Sequence, residues 1–201
     1  IRKITPTTSK CPRSMFLCDS IGEVSLWTIE NVDHDPELLF TESAFGGAMN
    51  SMGSSLAVIT EDEQINLIDI TTRAVTRTLT LRTGGPPDFT VGNEDLSFSP
   101  NDELLLRDET LWDLRMSGNT PVQRFDRFSE AAGACFHPAG NEIIIGREVW
   151  DIRSSRLLRT VPSLNRAALK FNNEGSVGLA HIRHPTSEPP LAALRRCHHP
   201  Y

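Results

Sequence analysis

The residues best suited to chemistry lie in two short runs, Asp113-Leu114-Arg115 and Asp151-Ile152-Arg153, each directly after a tryptophan, Trp112 or Trp150. On an extended strand successive side chains alternate faces, so an aspartate and an arginine two apart share one face. Two outcomes are open to such a pair. The carboxylate can bind its own arginine or a neighbouring sheet, which is a structural role. Alternatively the aspartate holds the arginine out, and the planar guanidinium, which keeps its charge, takes carboxylates or carbonyls of a partner two bonds at a time.

Other chemistry finds little support. Gly46-Gly47 and Gly84-Gly85 lack the Gly-Lys-Ser/Thr continuation of a phosphate loop and read as turns. Asp33-His34-Asp35 reads as a solvated loop. Cys197-His198-His199 has the letters of a metal tract but stands in a Pro-rich end without a second cluster. His137, between a strand phenylalanine and Pro138, reads as a turn residue. No Gly-x-Ser-x-Gly elbow and no His-Glu-x-x-His helix occurs. The expectation is a protein without catalytic residues, metal ligands or cofactor.

The elements that must position the two Asp-x-Arg runs are legible as a repeat. Phe98-Ser-Pro100, Leu104-Leu105-Leu106 and Leu111-Trp112-Asp113-Leu114-Arg115 are answered 38 residues later by Phe136-His-Pro138, Ile143-Ile144-Ile145 and Val149-Trp150-Asp151-Ile152-Arg153. A period near 40 that ends in a Trp-Asp pair is that of a propeller blade, a four-stranded sheet that buries its faces only when neighbours stack on it. The unbroken apolar runs agree, because strands covered on both sides do not alternate.

The repeat extends both ways. Val24 to Ile29 is a Trp strand with Thr28 where the later copies have Asp, and Ile65 to Ile70 replaces the Trp by Ile68 and keeps Asp69. Trp27, Ile68, Trp112 and Trp150 follow one another at 41, 44 and 38 residues, with Gly84-Gly85-Pro86-Pro87 as the obvious insertion. Leu169 to Asn172 opens another unit, 35 residues from Phe136 to Phe171. The fold expected is all-β, a WD-repeat propeller, as an arc of about four to five blades from a seven-bladed ring. Residues 1–180 form the propeller and residues 181–201, rich in proline and charge with no strand after the opening one, form a disordered or aberrant tail. Trp27, Phe98, Trp112, Phe136, Trp150 and Phe171 are the expected core.

At 201 residues and 38% hydrophobic, the chain can bury a core in one domain. Its net charge of −6, with scattered basic residues, lacks the Lys/Arg stripe of a nucleic-acid surface. No run approaches the roughly 18 to 20 apolar residues of a spanning helix, and no signal peptide is visible. The start at Ile1 reads as that of a fragment. Four cysteines without metal-like pairing, and no Asn-x-Ser/Thr site, suit a reduced intracellular setting.

Phe98 to Phe171, with Trp112-Asp-Leu-Arg115, Phe136-His-Pro138, Trp150-Asp-Ile-Arg153, Thr160-Val161-Pro162 and Phe171-Asn172, resembles the C-terminal WD-repeat domain of the Vpr-binding protein and Mahjong family. The likeness is specific over this stretch, weaker but in register back to Ile4, and ends after about Ala180. The resemblance implies a substrate receptor of cullin-4 RING ubiquitin ligases, in the nucleus and also in the cytoplasm. Its adaptor is the large subunit of the damaged-DNA-binding complex, and protein substrates are its other partners, with no nucleic acid and no membrane. The same resemblance makes Asp113, Arg115, Asp151 and Arg153 adaptor contacts. The alternative is a WD-repeat scaffold of another intracellular complex, in which these arginines are structural.

Overall fold

The computed structural model describes residues 3–6, 14–18, 24–28, 37–40, 44–60, 62, 64–80, 96–125, 133–165, 167–172, 175–182 and 195–198. These residues form antiparallel sheets that each follow the chain in order, strand beside next strand. The first contains β1 (Lys3–Pro6), β2 (Ser14–Cys18), β3 (Val24–Thr28) and β4 (Glu37–Phe40). The second contains β5 (Ala44–Met49), β6 (Ser55–Thr60), β7 (Gln64–Asp69) and β8 (Val75–Thr80). The third contains β9 (Leu96–Phe98), β10 (Leu104–Arg107), β11 (Thr110–Asp113) and β12 (Gln123–Arg124). The fourth contains β13 (Ala134–Phe136), β14 (Glu142–Ile145), β15 (Glu148–Asp151) and β16 (Leu157–Thr160). The fifth contains β17 (Ala167–Phe171), β18 (Val177–Ile182) and β19 (Arg195–His198). The opening strands β5, β9, β13 and β17 lie side by side in that order. This is an arc of a WD-repeat propeller.

The continuous apolar runs divide their side chains between two neighbours. Leu105 and Trp112 pack with Ala57, Ile59, Ile65, Leu67 and Leu79 of the second sheet. Leu106 and Leu111, one residue away on the same strands, pack with Phe136, Ile143, Ile145 and Trp150 of the fourth. Ile144 and Val149 then face Ala167 and Ala180 of the fifth. The strands β10, β11, β14 and β15 are thus apolar on both faces because each face meets another sheet, and removing that area from water is the main favourable term. Trp112 is fully buried, Phe136 and Trp150 nearly so, and Phe125 meets the Trp150 ring edge-on at 5.7 Å. Phe98 and Phe171 are half-buried against the clusters on their own sheets. The Trp27 backbone lies in β3, but its side chain is outside the described ones.

Three expectations need correction. Gly46 and Gly47 sit within β5 rather than in a turn; the strand carries a bulge between Ala44 and Gly46, a place where glycine fits the backbone. The Gly84-Gly85 stretch lies outside the described residues. A strand does follow the opening β17, and the tail expected from residue 181 contains part of it. β18 runs on to Ile182, and β19 pairs with it from Ala180↔Arg195 to Val177↔His198. The sequence hid β18 because its inward positions are the small Gly178 and Ala180, while Leu179 points outward. The remainder of 181–201 lies outside the described residues. The third concerns the arginines, which lie beyond the ends of their strands.

Candidate docking site

β11 ends at Asp113 and β15 at Asp151, so Arg115 and Arg153 both stand in the turns that follow. Strand parity therefore does not place them. Leu104 pairs with Asp113 and Glu142 with Asp151, which puts each Asp-x-Arg run beside the turn that joins the first two strands of its sheet. In the third sheet the Leu114 N–H donates to the Glu103 carbonyl at 2.8 Å, and in the fourth the Ile152 N–H donates to the Asn141 carbonyl at 3.1 Å. To this point the copies match.

They differ at the carboxylate. Asp113 Oδ1 accepts the Arg115 backbone N–H at 2.9 Å and its Nε at 3.0 Å, while Oδ2 accepts Nη2 at 2.7 Å. Glu103 lies 3.2 Å from Nη1, so Arg115 is held by two carboxylates and still has 60% of its side-chain surface exposed. These charge-assisted bonds hold the Asp113 carboxyl below the ordinary carboxylate range, chiefly through the Arg115 side chain, and raise the Arg115 pKa through the same contact.

Asp151 is engaged elsewhere. Its Oδ1 accepts the Ser154 N–H at 2.6 Å and the Ser154 hydroxyl at 2.7 Å. Asp69 of the second sheet does the same with Thr72, at 2.7 Å and 3.0 Å. In both turns five residues separate the strands, and the fourth, Arg73 or Ser155, takes a left-handed conformation at φ 58° or 56°. Both carboxyls are held below the ordinary range by these hydroxyl and backbone donors. In the third sheet Met116 stands where Ser154 and Thr72 provide the hydroxyl, and nine residues separate β11 from β12. Without that donor the Asp113 carboxylate closes on Arg115. Arg153 is exposed and makes no side-chain hydrogen bond to Asp151.

The second sheet is tied to this corner of the third. Asp102, itself at φ 61°, accepts the Ser51 N–H at 2.8 Å and the Ser51 hydroxyl at 2.6 Å. Arg77 of β8 donates Nη1 to the Leu114 carbonyl at 3.1 Å, Nε to the Asn119 side-chain oxygen at 3.2 Å, and Nη2 to the Gly118 carbonyl.

No protein-family model matches the chain. It is 33% identical over 193 residues to the DDB1- and CUL4-associated factor homolog 1 of Arabidopsis thaliana, covering 92% of this chain and 10% of that protein. The Caenorhabditis elegans protein of the same name is 45% identical over 82 residues, covering 40% of this chain and 5% of its own length. Protein mahjong of Drosophila melanogaster is 37% identical over 100 residues, covering 42% and 6%. The chain belongs to the Vpr-binding protein and Mahjong family. It spans a tenth or less of the length of these curated relatives.

Within this Mahjong-family propeller segment, sequence reasoning found the four Asp and Arg positions and missed their neighbours. Glu103 and Arg77 gave no signal, because neither falls on the repeated letters. The hydroxyl three residues after Asp69 and Asp151, absent after Asp113, is legible in hindsight as a recurring turn pattern. Among the described residues no His, Cys, Asp and Glu side chains gather as a metal site, and no helix is long and apolar enough to cross a membrane. Asp33-His34-Asp35 and the side chains of Cys197-His198-His199 lie outside the described residues. His137 accepts the Ala139 N–H on its own ring nitrogen at 3.2 Å and meets Phe171 edge-on at 5.0 Å, which joins the fourth and fifth sheets.

Proposed function

We propose that this segment is the propeller part of a substrate receptor of a cullin-4 RING ubiquitin ligase. It is a non-catalytic subunit that docks on the DDB1 adaptor, the large subunit of the damaged-DNA-binding complex, and through it on cullin-4. Proteins it holds are brought for ubiquitination. The setting in this reading is the nucleus, and the cytoplasm as well. Asp113, Arg115, Asp151 and Arg153 are the adaptor contacts in this reading. One observation carries it: both arginines are exposed at corresponding corners of adjacent sheets, the place from which two guanidinium forks can enter one partner together. The names of the relatives, which associate those proteins with DDB1 and CUL4, support the choice of partner.

A second reading, a WD-repeat scaffold with structural arginines, has one observation in its favour. Asp113 and Glu103 already hold Arg115. Exposed ion pairs contribute little to stability, however, so this contact constrains the arginine more than it supports the fold.

The discriminating experiment uses the complete protein with Arg115→Ala and Arg153→Ala combined. Truncating one charged member of a desolvated interface pair weakens binding about thirtyfold or more. The double variant is expected to lose DDB1 capture while its circular dichroism and melting profile stay near wild type. Unfolding would favour the scaffold reading, and retained capture by a folded double variant would remove the docking assignment.

A further inference from the structure

Arg77 lies on the last strand of the second sheet, yet all three of its described side-chain hydrogen bonds go to the loop that carries Arg115 in the third. Its backbone pairs opposite Leu67 in the register where Gln123 pairs opposite Leu111 and Arg159 opposite Val149. The three positions correspond but behave differently. Gln123 reaches the carbonyl of its own neighbour Arg124 at 3.5 Å, and Arg159 pairs with Glu142 of its own sheet at 2.8 Å. Among these three positions, Arg77 makes the bridge to the next sheet.

The contact has a specific consequence for Arg115. The Leu114 carbonyl and the Arg115 N–H belong to one planar peptide group. Arg77 holds that carbonyl at 3.1 Å and Asp113 holds that N–H at 2.9 Å. Fixing both edges of the plane fixes the direction in which the Arg115 side chain leaves the backbone. The far side of the loop is fastened as well, by Arg77 on Gly118 and Asn119 and by the Thr80 N–H on the Asn119 carbonyl at 3.3 Å. Five donors in a rigid fork allow one arginine to reach several acceptors; a lysine ammonium would keep the charge but not the fork.

We propose that Arg77 is a positioning residue for adaptor docking, acting from the neighbouring sheet by presetting the loop and the Arg115 guanidinium in the geometry that binds. This rests on the docking reading above. The expected gain is that of a preorganised side chain and loop, about two- to tenfold in affinity. It is a gain confined to Arg115, since among the described residues Gln123, at the corresponding position of the third sheet, bonds within its own sheet and not to the loop of Arg153.

A mutant cycle in the complete protein, titrated with purified DDB1, tests this. Arg77→Ala is expected to weaken binding about two- to tenfold in the wild-type background and again in the Arg153→Ala background, but to add no further loss to Arg115→Ala. Arg77→Lys should behave like Arg77→Ala, because charge without the fork does not hold the loop. An equal loss in all three backgrounds would show general destabilisation and overturn the assignment, as would wild-type affinity of Arg77→Ala or full rescue by Arg77→Lys. The docking reading fails separately, if Arg115→Ala itself binds as wild type, and the assignment then falls with it.

Discussion

At the end of β11 the Asp113 carboxylate closes on Arg115, whereas at the end of β15 the Asp151 carboxylate caps its own turn through Ser154 and Arg153 is exposed. The two strands carry nearly the same letters and the same ladder register, and the difference lies three residues past each aspartate, Met116 against Ser154. A carboxylate takes the best-placed donor. Where a hydroxyl and a backbone N–H stand together the turn captures it; where a thioether replaces the hydroxyl, the nearest strong donor is the guanidinium. Two arginines at matched positions therefore differ, Arg115 held by its aspartate and Arg153 exposed without a side-chain hydrogen bond to its own. Docking through both would order Arg153 at the partner's surface and find Arg115 already ordered.

The largest effects should come from what the copies share. Trp112→Ala and Trp150→Ala are each expected to cost about 3 to 5 kcal/mol in denaturant unfolding of the complete domain, since both fill the space between adjacent sheets. An unchanged midpoint for either would break the equivalence of the two sheets. Far smaller is the effect expected of Ser154→Ala, which removes one turn bond and frees Asp151 for Arg153. Its melting temperature should fall slightly, while Met116→Ala, at an exposed side chain, leaves melting as it is. Met116→Ser is the reciprocal experiment, and loosening of the Arg115 side chain in nitrogen relaxation measurements is the expected outcome.

The smallest effects are in protonation. Asp113 and Asp151 both have lowered pKa values when folded, so their contribution to stability is complete above the unfolded carboxylate value of about 3.9 and is lost only as pH falls through the lower folded values. Neither carboxylate should give pH dependence to docking between about pH 5 and 8. A carboxyl-carbon titration sharpens the contrast. Arg115→Ala should bring the Asp113 midpoint back up, because that side chain is the chief cause of its shift. Arg153→Ala should barely move Asp151, whose midpoint rises instead in Ser154→Ala. Equal responses of the two aspartates would contradict the geometry.

The sheets were legible because burial on both faces writes an unbroken apolar run, as in Leu104 to Leu106 and Ile143 to Ile145, and because the Trp-Asp pair recurs. β18 was not, since Gly178 and Ala180 fill its inward face without hydrophobic bulk. At the site, Asp113, Arg115, Asp151 and Arg153 stood out by repetition, but their pairing did not follow from strand parity. It follows from where the strands end and from which donor lies in the turn. Arg77 reaches the Leu114 carbonyl across 37 residues of chain and Glu103 reaches Arg115 across 12, and nothing local marks such contacts.

The central claim, that the corners at Arg115 and Arg153 together meet the adaptor, is tested most directly by hydrogen exchange on the complete protein with and without DDB1. Residues 114–119 and 152–156 are expected to gain protection together on binding, while the hairpin turns at 107–110 and 145–148, at the other ends of the same strands, keep their free-state exchange. Protection at those opposite turns with none at 114–119 and 152–156 would contradict the account.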